Sequence, residues 1–242
     1  MAVMLAQTIS GTCRFAVATL RADGDPTAAL RGALKPRQTK HHAPLKPEKL
    51  PVLMAAIDES PAYFSTKVAL KLLVYTLTRS VEVIEARWDE FDLDIGTWVI
   101  PAHRMKMRED HMVPLPTQAV SALRQLYGMT PRREVLFPNR RTPNKPASRG
   151  ILWKAVSAME LKVEFSPHGV RSTGSTILNS MGHRADLIEK QLAHEERSKS
   201  RGSYNRATYL EERRDMMQEW ADYLDSLSAG DDVVPIKGKK KT

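Results

Sequence analysis

"EARWDEFDLDIGTWVIPAHRMKMREDHMVPLP", residues 85–116, interrupts a chain that otherwise reads as helix. Before it, "PEKLPVLMAAI" (47–57) and "AYFSTKVALKLLVYTLT" (62–78) set apolar residues at helical spacing. Inside it the period changes. Thr97–Ile100 and Met112–Leu115 are short β-rich pieces divided by turn residues, which predicts a small antiparallel sheet. After it, "TQAVSALRQLYGM" (117–129) returns to helix, "EVLFP" (134–138) is a short apolar run, and "RGILWKAVSAMEL" (149–161) is helical again. "RADLIEKQLAH" (184–194) and "TYLEERRDMMQEWADYLDSL" (208–227) complete the helical set. One β-rich insertion among helices predicts a mainly α fold with a small antiparallel β-sheet, of the α+β class.

Outward from this core the pattern thins. Residues 1–33 form a helical piece broken at "DGDP" (23–26), too short to hold a core of its own. "KPRQTKHHAPLKPEKLP" (35–51) is rich in proline and lysine, so 34–46 reads as an exposed linker. Residues 47–228 form the main domain, and 229–242, ending "KGKKKT", a basic disordered tail. No internal repeat is evident.

The 242 residues carry 37 Lys and Arg against 28 Asp and Glu, a formal net charge of +9, which favours a polyanionic partner such as nucleic acid. A single cysteine, Cys13, excludes an intramolecular disulfide framework and fits a reducing compartment. The absence of CxxC and HExxH argues against a zinc site. No apolar run reaches membrane-spanning length, and "MAVMLAQTISGTC" lacks the basic n-region of a signal peptide. A cytoplasmic protein is expected.

"FSPHGVRSTGSTIL" (165–178) holds the first chemical clue. Ser166 is a natural N-cap and Pro167 suits the first helical position, so a helix should run from here to the stop at Gly182. His168 and Arg171 then share one face of its first turn, where the macrodipole disfavours cations. An anion seated between them resolves the conflict. Other groups at element ends are Arg79, Lys106, His194 and Tyr204, each of which alone has an ordinary structural explanation.

Taken in order, "TLTRSVEV" (76–83), "HGVR" (168–171), "QLAH" (191–194) and "SYNRA" (203–207), set in matching flanking words over residues 5–226, resemble the tyrosine recombinases. The likeness is to the catalytic domain of prophage and genomic-island integrases of the satellite-phage type. It implies a strand transferase that cuts DNA through a 3′-phosphotyrosyl intermediate, frees a 5′-hydroxyl, and needs no metal or other cofactor. By motif, Arg79 and Arg171 match the phosphate-clamping arginines and Lys106 the general-acid lysine of the hairpin. His168 and His194 match the two histidine positions, Tyr204 the nucleophile, and Glu82 an acidic partner that orients an arginine. The chemistry is coherent: guanidiniums clamp phosphate oxygens bidentately, and neighbouring cations favour the phenolate over the phenol. Tyr209 is the rival nucleophile, but it opens an apolar stripe through Met216 and Trp220, which packing explains.

The resemblance further implies double-stranded DNA with attachment-type sites as the partner and a homotetramer in the synapse. Relatives place arm-binding and core-binding domains before the linker, so residues 1–33 are expected to be a core-binding remnant in an N-terminally shortened chain. Leu77 fills a position where the family usually has glycine, and leucine supplies neither positive φ nor close backbone approach cheaply. Two functions are therefore open: an integrating and excising enzyme, or a shortened, non-recombining DNA-binding module or integrase-partner protein.

Overall fold

A computed structural model of the chain describes residues 2–30, 32–34, 45–130, 133–159, 167–194 and 209–229, without the side chains of Pro167, His168 and Ala229. Two compact units divide the chain, Met1–His41 and His42–Thr242. In the first, helix α1 (Ala2–Ala18) is followed by a 3-10 turn at Ala28–Leu30, and no residue of α1 is buried. The break at "DGDP" stands between these two pieces.

The second unit begins with a 3-10 turn, Pro47–Lys49, that leads into α2 (Leu50–Glu59). Helix α3 (Phe64–Thr76) follows, then the short α4 (Ser80–Ile84). Strands β1 (Phe91–Asp92), β2 (Thr97–Ile100) and β3 (His111–Pro114) form an antiparallel sheet in that order. Helices α5 (Thr117–Met129), α6 (Ile151–Ser157), α7 (Pro167–Ser180), α8 (Ala185–Gln191) and α9 (Leu210–Ala229) complete the described elements. The mainly α architecture with a small antiparallel sheet is the one the 85–116 stretch predicts.

Helix α3 sits at the centre. Its residues from Val68 to Tyr75 are buried almost all round, as expected of a helix packed on several sides, here by α2, α5, α7 and α9. From α9, Trp220 is fully buried and donates its indole N–H to the Val74 carbonyl at 2.9 Å. Large aromatic burial and a satisfied polar tip together fix α9 on α3. The sheet alternates as a half-buried sheet should: Trp98 and Val113 pair on the inner face, while Val99 and Met112 pair outward. Trp98 stacks on Phe91 at 5.0 Å between centroids and donates Nε1–H to Glu90 at 2.9 Å.

The sequence-based boundaries shift by small amounts for local reasons. Helix α7 stops at Ser180, two residues before Gly182, because that glycine takes φ +92° and His183 N–H returns to the Leu178 carbonyl. Strand β3 begins one residue earlier than the apolar run indicates. "EVLFP" pairs along residues 86–88: Leu136 N–H donates to Ala86 and Trp88 N–H to Glu134. The expected N-cap Ser166 and the basic tail 230–242 lie outside the described residues, as do most of the linker and Tyr204. Among the described residues no helix is long and apolar enough to cross a membrane.

Candidate functional site

The site starts where α3 ends. Leu77 closes the helix in the left-handed region (φ 54°, ψ 24°), the conformation a glycine adopts freely and a leucine at a cost of about 1–2 kcal/mol. What holds it there is packing. Its side chain is fully buried against Gly174 of α7, where an added Cβ would come within 2.6 Å of both Leu77 methyl carbons. A leucine at 77 and a glycine at 174 are complementary. The turn hands the chain to Arg79, the extended N-cap of α4.

Glu82, in the first turn of α4, reaches back to Arg79 twice. One carboxylate oxygen accepts the Arg79 backbone N–H at 2.7 Å and the other its Nη1 at 2.8 Å. The carboxylate is buried, so this pair fixes the arginine's orientation as well as the helix start. Arg79 Nη2 donates to the Ala193 carbonyl at 2.9 Å.

Arg171, the fifth residue of α7, arrives at the same place from the other side. Its Nη1 donates to the Leu77 carbonyl and its Nη2 to the Leu192 carbonyl at 2.6 Å. The two guanidiniums thus hold consecutive carbonyls, 192 and 193, at the C-terminal end of α8, where partial negative charge favours cations. Burial, and then the charge of Arg79, pull the Arg171 guanidinium down to about 10, so it stays charged at neutral pH. Glu82 and Glu189 oppose that shift. Two like charges held together in a poorly hydrated place are a receptor for an anion.

The same α8 terminus presents His194. Ala193 takes φ 46°, His194 N–H donates to the Glu189 carbonyl, and its Nδ1–H donates to the Glu189 carboxylate at 2.6 Å. That bond orients the half-exposed ring and leaves Nε2 as the atom for an outside partner.

Behind these residues lies a buried junction on Gln191. Its Oε1 accepts Arg213 Nε at 3.1 Å and Nη2 at 2.6 Å, and its Nε2 donates to the Thr76 carbonyl at 2.7 Å. The Gln191 carbonyl accepts His111 Nε2–H at 3.2 Å, and Arg213 also donates to the Met112 carbonyl. One glutamine therefore ties together the α3 end before Arg79, the α8 end before His194, strand β3 and helix α9. Burial, and then Arg213, push the His111 ring down to about 3, so it is neutral here. Sequence reading missed Gln191, Arg213 and His111. The available signal was a polar residue on an apolar stripe: Gln191 shares its face with buried Leu187 and Ile188, and Arg213 with Met216, Met217 and Trp220.

Lys106 lies on the β2–β3 connection with its side chain exposed. Its neighbours anchor that connection. Met105 is buried, Arg104 forms a buried ion pair with Glu90 and donates to the Glu82 carbonyl, and Asp110 accepts Ala102 N–H at 2.8 Å. The structure thus brings Arg79, Glu82, Arg171 and His194 together and sets Lys106 on an anchored hairpin. His168 lies in the first turn of α7, three residues before Arg171, its side chain outside the described residues together with Tyr204. The rival Tyr209 packs partly buried against the core, with the Arg184 guanidinium 5.2 Å from its ring centre.

The model of the phage integrase family matches residues 44–211. The prophage integrase IntA of Escherichia coli (strain K12) is 37% identical over 230 residues, 95% of this chain and 56% of that protein. The integrase of Enterobacteria phage P4 is 37% identical over 237 residues, covering 91% of this chain and 54% of that protein. The chain spans about half the length of these curated relatives. Among solved structures, an integrase from mycobacterium phage Brujita superposes with a TM-score of 0.59 at 16% identity, over 92% of this chain and 75% of that one. A lambda integrase tetramer bound to a Holliday junction gives 0.57 at 18% identity, over 81% and 59%. With the fold shared and more than half its length matched by the family model, the chain belongs to the phage integrase family.

Proposed function

We propose that this chain is the strand-transfer portion of a site-specific DNA recombinase that integrates and excises mobile DNA. The scissile phosphate binds between Arg79 and Arg171. Tyr204 Oη attacks phosphorus, forming a 3′-phosphotyrosyl bond as the bond to the 5′ oxygen breaks. Lys106 Nζ, as the ammonium, donates a proton to that leaving oxygen, and the phenol proton passes to solvent water as attack proceeds. His168 and His194 contribute donors to the developing charge on the non-bridging oxygens, the role in which preorganised donors lower the barrier most. Religation runs the same steps backwards with a different 5′-hydroxyl, so the linkage conserves bond energy and no external energy source is required. Glu82 does not touch DNA. It holds Arg79.

The observation that supports this reading most is the meeting of two guanidiniums on the Leu192 and Ala193 carbonyls, beside His194. Each guanidinium has five N–H donors, so both retain several for phosphate oxygens. The substrate is taken to be double-stranded DNA with attachment-type sites, and the working assembly a homotetramer. Residues 1–33 are taken as the end of a core-binding domain, 34–46 as a linker and 47–228 as the catalytic domain.

The test is a duplex nicked near the cleavage point, so that loss of the short fragment bearing the freed 5′-hydroxyl traps the covalent complex. A denaturing gel compares the unaltered protein with Tyr204→Phe. A slow-migrating DNA–protein band for the unaltered protein only is expected. Bound DNA with no such band from either protein would refute strand transfer by this chain.

A further inference from the structure

Lys106 sits on the connection 101–110, between the last pair of the β2–β3 ladder, Ile100 and His111. A loop can place a reacting group only where a rigid scaffold holds it. Asp110 closes the base by accepting the Ala102 N–H at 2.8 Å, and the 3-10 turn Ala102–Arg104 then sends Met105 into the core. At the end of that turn stands Arg104. Its side chain is 8% exposed and that of its partner Glu90 5%. Arg104 Nη1 donates to both Glu90 carboxylate oxygens, and Nη2 donates to the Glu82 carbonyl. Glu90 is held in turn, since it also accepts the indole N–H of fully buried Trp98 at 2.9 Å.

The Glu82 carbonyl is available for a local reason. Helix α4 has five residues, and past its end Glu85 N–H returns to the Val81 carbonyl and Ala86 N–H to Val83. The N–H groups next in line for Glu82 are thus engaged elsewhere, and Arg104 supplies the donor. Glu82 therefore faces two ways. Its carboxylate holds Arg79, and its carbonyl holds Arg104, two residues before Lys106. The backbone from Arg104 to Lys106 spans at most about 7 Å.

A buried ion pair is a poor source of stability, because desolvation of two charges offsets most of their attraction. Arg104 adds to the cost with a buried Nε that has no partner among the described residues. What such a pair does supply is geometry: a planar fork set against a carboxylate and a carbonyl fixes the orientation of the chain that bears it.

We infer that Arg104 is a positioning residue for the general acid. Through Glu90 and the Glu82 carbonyl it sets the Lys106 hairpin in register with the Arg79 clamp, without touching DNA itself. The inference rests on the strand-transfer reading proposed above and adds what holds the acid opposite the phosphate.

The test uses the nicked duplex and a second duplex with sulfur in place of the 5′ bridging oxygen at the cleavage point. In both, Tyr204 Oη bonds to phosphorus and the phenol proton passes to solvent water. With oxygen, the P–O bond breaks and Lys106 protonates the leaving group. With sulfur, the P–S bond breaks and the electron pair stays on a thiolate, whose thiol has a pKa of only about 8.5, so no acid is needed. Single-turnover adduct formation at saturating DNA is compared for the unaltered chain, Lys106→Ala, Arg171→Lys and Arg104→Met/Glu90→Gln, which replaces the buried pair by uncharged groups of similar size. The Arg104→Met/Glu90→Gln chain and Lys106→Ala should each lose about 100-fold on oxygen and match the unaltered chain on sulfur, whereas Arg171→Lys should be slow on both. Arg104→Lys keeps a charge facing Glu90 and should show the same rescue from a smaller loss, and it carries the test if the double variant lacks the near-ultraviolet signal of folded Trp98. A loss on sulfur equal to that on oxygen in a folded Arg104 variant, or no loss on either duplex, overturns the positioning role and leaves strand transfer intact. A Lys106→Ala chain that sulfur does not rescue, or no adduct from the unaltered chain, would instead overturn the reading beneath it and this inference with it.

Discussion

Replacing Gly174 by alanine should expose how this chain accommodates a leucine at a left-handed turn. The new Cβ would lie 2.6 Å from both Leu77 methyl carbons and 3.2 Å from its Cγ. Leu77 cannot swing aside: it is fully buried, its N–H is held by the Leu73 carbonyl at 3.0 Å, and its own carbonyl accepts Arg171 Nη1. Overpacking of this kind costs about 2–3 kcal/mol. The gain in helix propensity from glycine to alanine returns about 1 kcal/mol, leaving a net destabilisation of about 1–2 kcal/mol. In a Leu77→Ala background the clash vanishes and the propensity gain remains, so the same substitution should stabilise by about 1 kcal/mol. Urea unfolding of the four chains, followed by the near-ultraviolet signal of buried Trp98 and Trp220, gives the coupling energy directly. The expected value is about 2–3 kcal/mol. Additivity within about 0.5 kcal/mol would refute the complementarity of residues 77 and 174.

Gln191→Leu should destabilise by about 3–5 kcal/mol, because it strips two hydrogen bonds from buried Arg213 and leaves the Thr76 carbonyl unmet. A destabilisation under about 1 kcal/mol in the same unfolding assay would show that the junction does not hold these elements together. His111 should make stability pH-dependent. Its folded value lies near 3 against the ordinary 6.5, so as pH falls below 6.5 the unfolded chain takes the proton first. Stability contributed by the neutral ring is full above that pH and declines toward pH 3 by at most about 1.4 kcal/mol per pH unit. The difference between the unaltered chain and His111→Gln, measured across that window, should show this extra slope, and parallel curves would contradict it. Arg171→Lys removes the planar fork and both of its hydrogen bonds to carbonyls. Single-turnover adduct formation, normalised to the folded fraction, should fall by about 100-fold or more, and an unaltered rate would remove Arg171 from the clamp.

The helices and the sheet were legible because their periods differ: 3.6 through 62–78 and 117–129, and short β-rich runs at 97–100 and 112–115. Strand β1 was not, since two residues, Phe91 and Asp92, are too few to carry a period at all. In the site, a resemblance pointed to Arg79, Glu82, Arg171 and His194, and the fold brings those four together. The interactions that do so were hidden. The glycine the family usually has at 77 is a leucine here, and its partner Gly174 lies 97 positions away on another helix. Gln191 and Arg213 escaped notice because each looks like a solvated helix residue until the burial of its face is known. Carbonyls 192 and 193 are invisible to any reading by side chain, since every residue has one.

The central claim is that Tyr204 carries the DNA. The measurement that tests it most directly is mass mapping of the nucleotide-bearing peptide, after nuclease trimming and proteolysis of the trapped adduct. A nucleotide on Tyr204, and no adduct from Tyr204→Phe, is the predicted result. A nucleotide on Tyr209, or an adduct that persists in Tyr204→Phe, would contradict the account.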